Sequence, residues 1–126
     1  MGDRCYVTLH FRAKDKSRIK AITDELGELG EPNSQDDGSM EWEEINYAGH
    51  SAWGVMEQKL KGIPWYVQHT VGCEYGAGYY AFDGNELAIG ESSHDGSPVV
   101  ITTKGGDLIG LDNAKLAWKV WEEVNA

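Results

Sequence analysis

His10, His50, His69 and His94 are the residues of this chain best suited to moving protons, with Glu74 and Asp95 placed to orient one of them. Their spacing does not complete a known constellation. His69 and Cys73 are four apart, but the stretch between them runs from a strand into a loop, and no second pair with zinc spacing accompanies them. A nucleophilic Cys73 would need nearby positive charge to stabilise its thiolate, and its neighbour is Glu74. Gly76-Ala77-Gly78-Tyr79-Tyr80-Ala81 has the spacing of a dinucleotide fingerprint, yet aromatic, strand-like residues follow where a helix is required. Phosphate loops, nucleophile elbows and helical zinc motifs are absent, and Asp36-Asp37-Gly38 is too short for a calcium loop. No motif calls for a cofactor or a metal. An enzyme or ligand-binding protein remains the alternative reading if the loops carrying His50, Glu74 and His94, with His69 nearby, converge on one rim of a sheet.

Charge carries the stronger signal. The formal net charge is -10, and it is unevenly distributed. Arg4, Arg12, Lys14, Lys16, Arg18 and Lys20 make the start of the chain net positive, whereas Ala21 to Gln58 contains no Lys or Arg and ten acidic residues. Acids crowded without interspersed bases repel one another, and a surface of mixed sign gives solubility without that cost. A binding surface is therefore the functional reading and a solvated face the simpler one. Trp42, Tyr47 and Trp53 are interleaved with these carboxylates, a mixture that suits an interface with aromatic anchors and a charged rim. The candidate partner-binding residues are Asp36, Asp37, Glu41, Trp42, Glu43, Glu44 and Tyr47. Against this, Trp42 and Trp53 are also good core residues.

The elements that must position these groups follow from periodicity. Arg4 to Arg12 alternates as a half-buried strand, and Asp15 to Leu29 places Ile19, Ile22, Leu26 and Leu29 at helical spacing, capped by Asp15 or Ser17. Glu31 to Ser39 is a polar, turn-rich loop. Met40 to Tyr47 is a strand whose apolar phase slips between Trp42 and Ile45, which predicts a bulge at Glu43 or Glu44. Ser51 can cap a short helix through Trp53, Met56 and Leu60. The segments Trp65 to Val71, Tyr79 to Asp83, Glu86 to Gly90 and Val99 to Thr103 then alternate with turns. Asp112 or Asn113 can cap a last helix with an apolar stripe of Leu116, Ala117, Val120, Trp121 and Val124, in which Trp121 is expected to be core. The pattern predicts a single α+β domain over residues 1–126, one mixed, largely antiparallel twisted sheet with about three helices packed on a face.

At this size the chain can bury a sizeable core, and 40% hydrophobic residues with five Trp argue for folding despite the charge. The negative balance opposes direct binding to nucleic acid or to an anionic membrane and favours a basic protein surface. Met1 runs directly into Asp3 and Arg4, and no apolar run approaches a membrane span, so the expected compartment is the cytoplasm, including that of a phage-infected bacterium. Cys5 and Cys73 are expected there as reduced thiols.

In size and charge the chain resembles small acidic phage and prophage proteins that disable bacterial defence, such as anti-CRISPR proteins and DNA mimics, and in its Glu74-Tyr75-Gly76, Asp83-Gly84 and His94-Asp95-Gly96 segments it resembles other small phage proteins. The resemblance implies a non-enzymatic inhibitor that occupies a basic, nucleic-acid-binding surface of a partner such as a nucleic-acid-handling complex. Carboxylates spaced along a strand can occupy Arg and Lys positions that otherwise receive phosphates. An immunity protein or antitoxin would use the same surface against a basic toxin.

Overall fold

Alternation of Cys5, Val7, Leu9 and Phe11 with Tyr6, Thr8 and His10 produces strand β1 (Arg4–Phe11), whose odd-numbered side chains are buried. The computed structural model describes residues 4–26, 29–34, 38–46, 50–70, 76–93 and 95–125, without the side chains of Arg4, Ser34, Glu44, Asn46 and His50. A 3-10 turn, Ala13–Asp15, leads from β1 into helix α1 (Lys16–Leu26). Arg12 Nε donates to Asp15 Oδ2 at 2.6 Å and fixes this entry, so Asp15 belongs to the turn before the helix. The elements that follow are β2 (Asn33–Ser34), β3 (Met40–Asn46), α2 (His50–Lys59), β4 (Trp65–His69), β5 (Gly78–Phe82), β6 (Leu87–Glu91), β7 (Ile101–Thr102), β8 (Leu108–Ile109) and α3 (Leu111–Val124).

The main sheet has the order β2-β3-β1-β4-β5-β6, and all of its described pairings are antiparallel. The expected α+β class is that of the structure. Cys5 pairs with Ile45 and Val7 with Trp42, so Tyr6 alone faces two residues, Glu43 and Glu44. This is the bulge that the slipped apolar phase of β3 predicts. It keeps Met40, Trp42 and Ile45 all turned toward the core.

Two hydrophobic layers lie on opposite faces of the sheet. On the inner face, Val7, Leu9, Trp65, Val67, Tyr80 and Phe82 meet Ile19 of α1 and Ala52, Trp53, Met56 and Leu60 of α2. The Trp53 ring is central there, with its centroid 6.2 Å from Trp42, 6.1 Å from Trp65 and 6.4 Å from Tyr80. On the outer face, Tyr66, Tyr79, Ala81 and Ala88 receive Ala117, Val120 and Val124 of α3. The helices are thus divided between the two faces, not gathered on one. The reason lies in β4 and β5, where consecutive residues such as Trp65, Tyr66 and Val67 are buried, so both faces of these strands need cover.

Two further departures from the sequence expectation concern the C-terminal third. Ile101–Thr102 pairs with Leu108–Ile109 in a separate two-stranded ribbon and does not join the main sheet. Helix α3 starts after Gly110, whose carbonyl accepts from Ala114 N at 2.9 Å, with no side-chain cap. Asn113 Nδ2 instead donates to Ile89 O at 3.3 Å and ties the helix start to β6. No helix among the described residues is long and apolar enough to cross a membrane.

Candidate functional site

Helix α3 packs on β4, β5 and β6, and among the described residues no helix covers the same face of β1 and β3, called the open half below. The side chains on this open half are those that alternate with the buried row. They are Tyr6 and Thr8 on β1, and Glu41 and Glu43, which alternate with buried Met40 and Trp42 on β3. Glu41 lies directly opposite Thr8 across the strand pair. Tyr6 is 52% exposed, an unusual state for a large ring at mid-sheet.

One edge of the open face rises into a tight turn after β6. Gly96 N donates to Ser93 O at 3.0 Å, and Ser93 N donates to Ser97 O at 2.8 Å, closing the turn. Gly96 has a φ of +89°, and a Cβ there would lie 2.7 Å from Gln68 Nε2, so only glycine lets the turn settle onto β4. Gln68 Nε2 donates to Gly96 O at 3.4 Å from the sheet side. Within the turn, the Ser93 hydroxyl and the Ser97 amide, at 3.0 Å, both donate to Asp95 Oδ1. These bonds, that of Ser93 first, hold the Asp95 carboxyl at about 2, below the ordinary carboxylate range, and leave it ionised at neutral pH.

Two hollows meet under this turn and share Gln68, Asp95 and Gly96 in their walls. The larger, about 470 Å³, runs toward Tyr6, Thr8 and Ser92. Ser92 Oγ is buried there with no hydrogen-bond partner among the described residues. The smaller, about 210 Å³, lies between the turn and α3 and is walled by Tyr66, Trp118 and Trp121. Trp118 is 47% and Trp121 38% exposed, so Trp121 is not the core residue its place in the apolar stripe predicts. It is braced edge-on by His10, at 4.7 Å and 71°, and by Tyr66, at 5.2 Å and 72°. Together the face offers aromatic walls, carboxylates at Glu41, Glu43 and Asp95, and polar groups at its floor.

Of the residues expected to meet a partner, Glu41 and Glu43 lie on this face. Trp42 requires correction: it is 2% exposed, its Nε1 donates to Gly30 O at 3.0 Å, and its ring packs on Trp53, so it anchors β3 from behind. Trp53 is likewise core. Asp36, Asp37, Tyr47 and the Glu44 side chain lie outside the described residues. The acidic stretch does not gather as a whole. Asp24 and Glu25 sit on α1 and pair with Lys20 at 3.2 Å and Lys59 at 2.9 Å, and Glu57 lies on α2, in the layer behind the sheet.

The expected rim of the His50 side chain, Glu74 and His94 falls outside the described residues, and of the described histidines His69 is among the lining residues of the larger hollow. His10 lies beside Trp121 on the outer face, while His69 lies on the inner face, where a Cβ on Gly78 would come within 2.6 Å of its Nε2. The His50 side chain, Cys73, Glu74 and His94 are outside the description. No group of three His, Cys, Asp or Glu able to hold a metal occurs among the described residues.

Sequence reasoning passed over Tyr6, Thr8, Gln68 and Trp118 as site residues. The available signal was the polar row of β1 and a tryptophan beside, not within, the apolar stripe of α3. Comparison with known proteins finds no matching family model, curated protein or solved structure.

Proposed function

We propose that this chain is a non-catalytic protein-binding module that applies the open half of its sheet to a basic surface of another protein, one that otherwise receives nucleic-acid phosphates, and so inhibits it. The observation that carries this reading is the placement of Glu41 and Glu43 beside exposed Tyr6 on a sheet face that no helix among the described residues covers, with ionised Asp95 at its rim. Arg12, just past the end of β1, is paired with Asp15. An exposed aromatic ring on the same face as carboxylates supplies an apolar anchor and electrostatic steering together. A net charge of -10 adds long-range attraction for a basic partner and repels nucleic acid itself.

Capture from bacterial lysate at low and high salt, compared between variants of equal charge, tests the reading. Glu41→Lys/Glu43→Lys reverses the open face; Glu57→Lys/Asp107→Lys makes the same charge change on α2 and on the β7–β8 turn. A basic protein retained at low salt by the parent and the second variant, and lost with the first, is the expected result. Equal retention by all three removes the open face as the binding surface.

A further inference from the structure

The smaller hollow differs from the rest of the face in being aromatic on two sides and anionic on a third. Trp118 and Trp121 stand on consecutive turns of α3, Tyr66 rises from β4, and Asp95 leans in from the turn, with Pro98 completing the wall. Lys115, one turn before Trp118, lies outside the lining residues. Rings left half-exposed beside a fixed carboxylate incur the cost of wet apolar surface, which a cation with a flat apolar face relieves.

We propose that this cleft is a subsite for the guanidinium of an arginine side chain. The inference rests on the reading of a basic partner above and names the side chain that partner inserts. Arginine fits better than lysine because its planar head can stack on an indole and donate sideways to a carboxylate in the same pose, whereas an ammonium is a compact, strongly hydrated point charge. The geometry supplies both elements: an indole held in place, Trp121 braced by His10 and Tyr66 with Trp118 lining the same cleft, and a carboxylate whose turn is pinned to the sheet through Gln68 and Gly96. Ser93 and Ser97 fix Asp95 by Oδ1, so the anion is pre-positioned and little ordering cost is added on binding.

The test uses the full chain and N-acetyl-L-arginine amide, with the corresponding lysine and norleucine amides as comparisons, followed through the indole N–H resonances. The arginine compound is expected to shift the Trp118 and Trp121 signals with an affinity on the order of millimolar, and to leave those of the buried Trp42, Trp53 and Trp65 in place. D95N, whose amide oxygen still accepts from Ser93 and Ser97, is expected to weaken binding about tenfold. W118A removes an exposed ring without opening the core and is expected to abolish the shift at Trp121. Absence of shifts with the arginine compound, equal binding of the lysine or norleucine compound, or unchanged affinity in both variants overturns the proposal. Because the probe needs no protein partner, its outcome is separate from that of the Glu41→Lys/Glu43→Lys comparison.

Discussion

The phenol of Tyr79 lies across the bare α-carbon of its cross-strand neighbour Gly90, so that a Cβ built on Gly90 would sit 2.6 Å from the Tyr79 hydroxyl oxygen. The Tyr79 ring in turn stacks on Tyr66 at 6.0 Å and 12°, and Tyr66 braces Trp121. A glycine on β6 thereby sets the position of a wall of the aromatic cleft three rings away. Gly90→Ala is expected to displace Tyr79 and to cost about 1–3 kcal/mol, the usual penalty of overpacking, measurable by urea denaturation. The Trp121 indole resonance should move in the same variant. A stability and a spectrum equal to the parent's would show that Tyr79 yields without disturbing the stack.

Trp42 makes the opposite case, a ring that sequence places among exposed acids and the fold places inside. Trp42→Phe keeps an aromatic filler but removes the Nε1 donor to Gly30 O and part of the edge against Trp53. The expected loss is about 1–3 kcal/mol, from an unsatisfied carbonyl and a small cavity together. Thermal unfolding should report it as a drop of several degrees. A neutral result would mean that Trp42 contributes to a surface and not to the core.

Features encoded within a few residues were legible in the sequence. The alternation of β1, the bulge predicted by the slip between Trp42 and Ile45, and the stripe of α3 are of this kind. What escaped depends on residues distant in the chain. The turn over the sheet rests on Gln68 meeting Gly96, and the exposure of Trp121 on how far α3 extends toward His10. A β4 buried on both faces reads as one apolar run and does not reveal that α3 lies opposite α1 and α2. The ribbon of β7 and β8 is two residues deep on each side, below the length at which period-two alternation is visible. The division of the acids followed the same rule: Asp24 and Glu25 are close to Glu41 in sequence but on a helix behind the sheet.

Asp95 should remain charged well into acid. Its carboxyl is lowered to about 2, chiefly by the Ser93 hydroxyl and then by the Ser97 amide. A carboxylate depressed by folding contributes stability above its ordinary value, near 4, and that contribution is lost as pH falls from about 4 through about 2. A carbon-detected titration is expected to place Asp95 below the ordinary aspartate value, near 4. Ser93→Ala should move Asp95 upward toward the ordinary value. An unchanged midpoint in that variant would show that the hydroxyl does not set it.

The alkaline side is governed by phenols in the two layers. Burial pushes Tyr80 up to about 12, with the Cys5 thiolate adding repulsion; burial also raises Tyr79, and raises Tyr66 further, where the Tyr79 phenolate would oppose a second charge. A phenol that ionises less readily in the folded chain stabilises the fold fully below the ordinary tyrosine value, about 10, and this stabilisation falls away as pH rises through the folded value. Unfolding should therefore begin above about pH 10, with phenolate absorbance from these residues appearing together with the loss of far-ultraviolet circular dichroism. Tyr66→Phe keeps the ring stacked on Tyr79 and braced against Trp121 but removes the most strongly shifted hydroxyl. The alkaline limb of the stability curve should become shallower in that variant. Phenolate absorbance from all the tyrosines completed before any loss of secondary structure would contradict the burial of Tyr66, Tyr79 and Tyr80 and, with it, the position of the aromatic wall.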